Sequence, residues 1–172
     1  EGGLVAAEKA VELQVEERGE PPDVLRVGGD VAEQAAEDAG AHCTTVRVDL
    51  TDPAGVDRLF EAAGPVTGVV NNAGATLHLG PLAETPVEVI EATVDLNLTA
   101  ALLVARAAVR AMGTSYGGRG GVLVNVSSGA ATLGAPGEYV QYAAAKAGVD
   151  ALTRGLAQEV AGDGVRVVGV AP

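Results

Sequence analysis

Short valine-rich runs alternate with longer alanine-rich stretches along most of this sequence, and this alternation restricts the fold more than any other feature. The valine-rich runs are continuous and β-branched, which is typical of parallel strands buried on both faces. Strand–helix–strand repetition gives right-handed crossovers and a parallel sheet with helices on both faces. The predicted strands are Val24–Val27, Thr44–Val48, Val66–Val70, Val122–Val126 and Val165–Val170. The sequence therefore predicts one α/β domain over residues 1–172, with a doubly wound parallel sheet in a three-layer α/β/α arrangement.

Helix start and stop signals lie between the predicted strands. Asp52 followed by Pro53 is an N-cap with proline at the first helical position, and Gly64 ends that helix. The segment 85–88 (Thr-Pro-Val-Glu) has the pattern of a capping box and opens a helix predicted over Pro86–Met112. Its apolar stripe is predicted to be Ile90, Val94, Leu98 and Leu102.

A last long helix is predicted over Glu138–Ala161, with apolar residues at helical spacing at Val149, Leu152, Leu156 and Val160. The first 22 residues allow two interpretations. Their apolar residues fit one helical face, whereas Val11–Glu16 also alternates like a half-exposed strand. The Ala-Glu-Lys composition favours the helix, which Pro21 and Pro22 end.

Charge and composition exclude several classes of function. A formal net charge of −12 repels nucleic-acid phosphates and anionic lipids, so neither partner is expected. The single cysteine, Cys43, cannot form an internal disulfide, and no basic-then-apolar leader opens the chain. The longest apolar stretch, Thr99–Met112, contains Arg106 and Arg110 and is too short to span a membrane. These features predict a soluble cytoplasmic protein.

Tyr142 and Lys146 lie four residues apart in the last predicted helix, so their side chains share one face. A fixed ammonium about 5 Å from a phenol, at an effective dielectric of about 20, stabilises the phenolate by about 3 kcal/mol. That stabilisation helps the tyrosine to give or take a proton near neutral pH. Since such a pair is more often surface packing on a helix, its surroundings decide between the two interpretations.

Polar residues follow two predicted strands and interrupt the helix between them. The segments 71–74 (Asn-Asn-Ala-Gly) and 125–128 (Asn-Val-Ser-Ser) end consecutive strands. They therefore meet at the carboxyl edge, where open α/β sheets bind ligands. Asn97 lies inside the intervening helix, although asparagine is a poor helix former. Each feature alone is typical of a cap or a turn, but together with Tyr142 and Lys146 they indicate a catalytic site.

The order of these motifs resembles that of the short-chain dehydrogenases/reductases. The shared pattern is Asn-Asn-Ala-Gly, a helix holding Asn, Asn-Val-Ser-Ser, Tyr-x-x-x-Lys and a strand ending in Ala-Pro, over about residues 23–172. The resemblance implies a Rossmann-like fold and an NAD(P)-dependent oxidoreductase that moves a hydride to or from a small carbonyl or secondary alcohol. The segment 142–148 looks like that of 3-oxoacyl-carrier-protein reductases, and sugar and polyol dehydrogenases are similar too.

The resemblance also implies a role for each matching catalytic residue. Tyr142 would exchange a proton with the substrate oxygen, and Lys146 would assist it and bind the nicotinamide ribose. Ser128 would hydrogen-bond the substrate oxygen, and Asn97 would hold a water molecule in the proton relay. Ser127 remains an alternative to Ser128, because many members have one residue fewer between this serine and the tyrosine.

Further positions match the cofactor-binding segments of the family. The implied adenine contacts are Asp49 and Leu50, although Asp49 also suits a simple helix-entry turn. The implied neighbours of the adenosine ribose are Asn72, Ala73 and Gly74, and Pro172 is a further implied cofactor-binding residue. Asp30 matches an acidic residue that accepts ribose hydroxyls and repels a 2′-phosphate, which favours NAD over NADP.

Two other residue types are not predicted to take part in the chemistry. Tyr139 has no lysine four residues later, so it does not match the catalytic tyrosine. His42 and His78 lack metal-ligand spacing, so no metal site is predicted. His78 follows the Asn-Asn-Ala-Gly segment and is a candidate for the mouth of the substrate site.

The sequence departs from the family pattern at both ends. No strand followed by Thr-Gly-x-x-x-Gly-x-Gly occurs, although Gly2-Gly3 resembles a remnant of that phosphate-binding loop. Family members also continue beyond the position of Pro172. We therefore expect the sequence to be a fragment and the Rossmann-like domain that it forms to be incomplete. The missing loop supports a second hypothesis, a non-catalytic binding or scaffold subunit, which the intact set of four catalytic residues disfavours.

The two long helices, Pro86–Met112 and Glu138–Ala161, carry more alanine-rich surface than one face against a sheet can bury. Family members commonly pair these helices across a two-fold axis. The sequence therefore predicts a homodimer or homotetramer, with a helix contact that buries more than about 1,000 Å².

Overall fold

The computed structural model describes residues 46–172. The predicted strand Val24–Val27, the helix or strand before Pro22, and Asp30 lie outside the described residues. The predicted strand Thr44–Val48 overlaps them only at its end, where Val48 makes an isolated β-bridge.

In the described part of the chain, three parallel strands form one sheet in the order β1-β2-β3. They are β1 (Gly68–Asn71), β2 (Gly121–Val126) and β3 (Val165–Val170). The register pairs Asn71 with Asn125 and Val126 with Val170, so all three strands end at one edge. The last three strand predictions are confirmed, the first of them shifted by one or two residues.

Five α-helices are described between and beside these strands. They are α1 (Pro53–Ala63), α2 (Val87–Val94), α3 (Ala100–Met112), α4 (Ala130–Leu133) and α5 (Val140–Glu159). A π-turn, Asp95–Thr99, joins α2 to α3, and short 3₁₀ turns cover Leu82–Glu84, Thr114–Tyr116 and Ala161–Asp163. The long helices thus lie within one or two residues of the predicted bounds.

The ends of α1 confirm the sequence signals. The side chain of Asp52 accepts a hydrogen bond from the backbone N–H of Ala54 at 3.0 Å. Pro53 occupies the first helical position, and Gly64 ends the helix with φ of 67°, in the left-handed region that suits glycine.

The predicted capping box at Thr85 is wrong. The Thr85 hydroxyl donates to the carbonyl of Pro81 at 3.2 Å, and Pro86, at the N-cap of α2, makes no side-chain cap bond. The preceding 3₁₀ turn brings Pro81 within reach of Thr85, so this side chain closes the turn instead of capping the helix.

The predicted apolar stripe of the second helix is also partly wrong. In the π-turn the backbone N–H of Ala100 bonds to Asp95, five residues back, and the extra residue rotates the following face. Leu102 is consequently 46% exposed. The buried face of α3 comprises Ala100, Ala101, Val104, Ala105, Ala108, Val109 and Met112.

The core lies between one face of the sheet and the helices. Leu123, Val165 and Val167 pack with α3 residues such as Ala108 and Met112. The opposite face presents exposed side chains at Val70, Val168 and Val170. The parallel Rossmann-like architecture is confirmed, with one helical layer in residues 46–172. Helices that would cover the other face are not among these residues.

No helix within residues 46–172 combines the length and the apolar character needed to cross a membrane.

Candidate active site

Three segments leave the sheet at its carboxyl edge. β1 continues into residues 72–74, β2 into Ser127 and Ser128, and β3 into residues 171–172. Because the strands are parallel and in register, these segments are neighbours, as the motif order predicted. The helices α3 and α5 pack against one face of the sheet and contact side chains at this edge.

A buried chain of polar side chains fixes this edge. Asn71 Nδ2 donates to Asn125 Oδ1 at 3.0 Å and to the Ala101 carbonyl at 3.1 Å. Asn125 Nδ2 donates to Thr153 Oγ1 at 3.0 Å, and that hydroxyl donates to the Val149 carbonyl. The first asparagine of each motif therefore connects strands β1 and β2 to helices α3 and α5, which is a structural role.

Asn97 lies fully buried in the π-turn and faces Gly74. Its Nδ2 donates to the carbonyls of Ala75 and Thr93, both at 2.9 Å, while its Oδ1 has no partner among the described residues. A Cβ atom at Gly74 would lie 2.5 Å from Asn97 Oδ1 and 3.0 Å from Lys146 Nζ. Because no side chain fits there, the glycine at position 74 allows the Asn97 amide oxygen and the Lys146 ammonium to lie close to the same place beside its Cα atom.

Lys146 is 3% exposed, and its Nζ donates to the Val126 carbonyl at 3.0 Å. Burial lowers the pKa of the Lys146 ammonium below its ordinary value of 10.5. The Nζ atom lies 5.7 Å from the centre of the Tyr142 ring, within the range of a cation–π contact. The i, i+4 spacing thus brings the tyrosine and the lysine together as predicted.

The two serines point to different places. Ser127 is buried, and its hydroxyl donates to the Lys146 carbonyl at 3.2 Å, on the backbone of α5. The Ser128 Oγ accepts from the N–H of Ala130 at 3.2 Å, and Ser128 lines an open cavity. Of the two serines, Ser128 is therefore the one that lines the cavity.

The cavity beside Ser128 has a volume of about 460 Å³ and is formed by the chain between Ser128 and α5. Its wall includes Glu138, Tyr139 and Pro172, whereas Tyr142 is not among the described residues that line it. Tyr139 stacks edge-to-face on Tyr142 with ring centres 5.8 Å apart. Ala135, another wall residue, has φ of 46°, a strained conformation for a residue other than glycine.

The predicted cofactor residues have different surroundings in the structure. Asp49 Oδ1 accepts from the Thr51 N–H at 2.9 Å and from its hydroxyl at 2.6 Å, which is the helix-entry turn. Leu50 is fully buried in the core against Val104. Gly74 lies beside Lys146, and the Pro172 carbonyl accepts from Gly129 N–H at 2.8 Å. Asn72 is exposed and Ala73 half-buried.

No group of three or more His, Cys, Asp or Glu side chains that could hold a metal ion occurs in residues 46–172.

The sequence reasoning missed three residues near the site, Glu138, Tyr139 and Gln141. The first two line the cavity, and the third is buried directly before Tyr142. Their position in the sequence between Ser128 and Tyr142 indicated that they lie near the site. No motif distinguishes these three residues from their neighbours in that segment.

Comparison with known proteins agrees with the motif order. The family model described as short chain dehydrogenase matches residues 24–172. An uncharacterized oxidoreductase, YgfF of Escherichia coli, is 41% identical over 138 residues, which cover 78% of this chain and 56% of the relative. The inactive 2-(S)-hydroxypropyl-CoM dehydrogenase 2 of Xanthobacter autotrophicus is 38% identical over 148 residues, 84% of this chain and 62% of the relative.

Among solved structures, a short chain dehydrogenase from Burkholderia cenocepacia in complex with NADP superposes with a TM-score of 0.71. It is 31% identical, and the match covers 84% of this chain and 59% of that one. The chain thus spans between half and two thirds of the length of each of these proteins.

Proposed function

Since this chain belongs to the short-chain dehydrogenase family, we propose that the whole protein is an NAD(P)-dependent oxidoreductase acting on a carbonyl or secondary alcohol. The observation that carries the proposal is the buried Lys146 ammonium, which lies close to Gly74 on one side and to the Tyr142 ring on the other. A bound nicotinamide nucleotide would supply or accept the hydride.

Each of the four catalytic candidates would transfer a proton, stabilise a charge or make a hydrogen bond. Tyr142 would donate a proton to the substrate oxygen or take one from it. The Lys146 ammonium would stabilise the phenolate electrostatically and bind the nicotinamide ribose. Ser128 would hold the substrate oxygen, and the unpaired Asn97 oxygen would accept from a water molecule that passes protons on.

The residues at the sheet edge fit a nicotinamide nucleotide. Gly74 is exposed and has no side chain to obstruct a ligand, and Lys146 offers a buried positive charge next to it. Asp49 and Leu50 provide no comparable support, because the first caps a turn and the second is in the core. Among the described cofactor candidates, Gly74 and Lys146 therefore support the proposed cofactor site.

The preference for NAD remains part of the proposal and depends on Asp30. The similar dehydrogenase from Burkholderia cenocepacia was solved with NADP, so both cofactors need to be tested. The substrate is proposed to be a small ketone or alcohol of the 3-oxoacyl or polyol type, handled in the cytoplasm.

A non-catalytic subunit is the second candidate. One relative carries the word inactive in its name, and this name is what supports the second candidate. This candidate predicts that the protein shows neither hydride transfer nor a Lys146-dependent affinity for NADH or NADPH.

Titration of the whole protein with NADH and NADPH, followed by nicotinamide fluorescence, tests the proposed cofactor site. Lys146→Met should weaken binding by about tenfold or more, because it removes a charge-assisted hydrogen bond to the ribose. Arg154→Met is the matched control, since Arg154 is an exposed cation on the same helix and should leave affinity unchanged. Equal affinities of wild type and Lys146→Met would contradict the proposal.

A further inference from the structure

A buried glutamine directly before Tyr142 has a side-chain oxygen without a hydrogen-bond partner. Gln141 lies in the first turn of α5 and is 4% exposed. Its Nε2 donates to the His78 carbonyl at 3.4 Å, a long bond, and its Oε1 is unpaired among the described residues. Methionine or leucine would fill a similar volume without leaving a buried acceptor unpaired. A polar group kept at the expense of stability is typical of a functional position.

The segment that Gln141 contacts is held at a second point. The Gly80 N–H donates to the Glu138 carbonyl at 2.7 Å. A Cβ at Gly80 would lie 3.0 Å from His78 Nε2, so the segment folds closely on itself. We call residues 78–80 the strap. Two hydrogen bonds thus connect the strap to the start of α5 and the turn before it.

The strap is bonded both to the wall of the cavity beside Ser128 and to the residue before Tyr142. Glu138, to which Gly80 is bonded, lines the cavity beside Ser128. Gln141, which holds His78, is the residue before Tyr142. Three residues before the strap, the Ala75 carbonyl accepts from Asn97. A displaced strap would therefore move the cavity wall relative to the tyrosine.

We propose that Gln141 is a positioning residue that holds the strap through the His78 carbonyl and thereby sets the shape of the substrate cavity. It acts through the strap and not on the reacting atoms. The proposal depends on the oxidoreductase function proposed above. It adds a residue outside the predicted catalytic set and assigns that residue to substrate affinity.

Gln141→Met in the whole protein tests this role, with Gln158→Met as the matched control. Gln158 is exposed near the end of the same helix, and its amide bonds to the Arg154 carbonyl of that helix. Hydrogen exchange at the Gly80 amide should become faster by about tenfold in Gln141→Met, the equivalent of one lost hydrogen bond. The unfolding temperature should stay the same or rise, since the unpaired acceptor is removed.

The kinetic readout separates positioning from mere packing. With ethyl acetoacetate and sorbitol as test substrates, KM should rise by about tenfold in Gln141→Met, and the Kd for the nicotinamide cofactor should not change. Gln158→Met should match wild type in every measurement. Unchanged exchange at Gly80, or a lower unfolding temperature with an unchanged KM, would overturn the inference.

The two proposals fail in different ways. A wild-type protein that turns over no carbonyl or alcohol contradicts the proposed function itself. A wild-type protein with turnover whose KM does not respond to Gln141→Met contradicts only the role of Gln141.

Discussion

At the scale of single residues, Lys146 is the side chain whose chemistry the fold changes most clearly. Its ammonium is buried with one described hydrogen bond, to the Val126 carbonyl. Burial lowers its pKa because the charged form loses water. A protonated lysine is therefore less favourable in the folded protein than in the unfolded chain, and this unfavourable contribution disappears when the group loses its proton.

The lowered pKa predicts how stability changes with pH. Between the folded pKa and the ordinary value of 10.5, the unfolded chain binds more protons, so the lysine's contribution to the free energy of unfolding rises with pH. Below that interval the penalty is fully present. Wild type should therefore gain stability relative to Lys146→Met as pH rises through the interval, by at most about 1.4 kcal/mol per pH unit.

Denaturant unfolding of both proteins over a pH series measures this difference. Arg154→Met, at an exposed position, should show no such trend relative to wild type. A difference between wild type and Lys146→Met that is independent of pH would contradict the burial of the ammonium.

Gly74 gives a second test at the residue scale. A Cβ there would collide with Asn97 Oδ1 at 2.5 Å and press on Lys146 Nζ at 3.0 Å. Gly74→Ala should therefore weaken NADH binding by about tenfold or more, because it displaces the ammonium. Gly162→Ala, in an exposed turn with nothing within 4 Å of the added atom, is the control. Unaltered affinity in Gly74→Ala would show that the glycine is not near the cofactor.

At the scale of elements, helix α1 is placed by close contact with the turn that precedes it. A Cβ at Gly55 would lie 2.0 Å from the backbone oxygen of Asp49. Alanine normally favours a helix over glycine by about 1 kcal/mol, but here the clash should dominate and lower stability by about 1–3 kcal/mol. Asp57→Ala, exposed on the same helix, should change stability by no more than about 0.5 kcal/mol.

Thermal and denaturant unfolding would check the Gly55 prediction. Stabilisation by Gly55→Ala, as helix propensity alone expects, would contradict the described packing of α1 on Asp49.

Local signals predicted most of the elements, because they act within a few residues. The Asp52 cap, the Gly64 end and the strand Val165–Val170 all appear where the sequence placed them. The capping box at Thr85 failed because a preceding 3₁₀ turn offers the hydroxyl another acceptor. The apolar stripe failed at Leu102 because a π-turn rotates the helix, and no residue pattern signals that extra residue.

The candidate site was predictable to a similar extent. Motif order predicted that Asn97, Tyr142 and Lys146 approach one edge of the sheet, and the structure brings these three side chains near one another beside Gly74. Their catalytic roles stay a prediction. The bond between Gln141 and His78 joins residues 63 apart in the chain, so no sequence spacing reveals it. The cavity wall at Glu138 and Tyr139 likewise depends on a loop path that the residues alone do not determine.

At the scale of the whole molecule, α3 and α5 leave small and apolar side chains uncovered. Ala144, Ala147 and Ala151 are exposed along α5, and Leu102 is exposed on α3. We propose that a second copy covers these helices in a homodimer or homotetramer. Ala151→Glu should then lower the molar mass measured by light scattering at micromolar concentration, because an interface buries this charge unpaired.

Ala62→Glu, exposed near the end of α1, is the control and should leave the assembly intact. A wild-type protein that is monomeric under these conditions, with both helices exchanging amide protons freely, would contradict the oligomer.

Hydride transfer by the whole protein tests the central claim most directly. Absorbance of the reduced nicotinamide would report the reduction of ethyl acetoacetate by NADH or NADPH, and the oxidation of sorbitol by NAD or NADP. Wild type should turn over at least one of these two substrates. The kcat of Tyr142→Phe should fall by at least about a hundredfold, because phenylalanine keeps the ring but lacks the hydroxyl proton. Its cofactor affinity should match wild type, and Tyr116→Phe, exposed in a remote turn, should retain full activity. Equal turnover by Tyr142→Phe and wild type would contradict a mechanism that works through Tyr142.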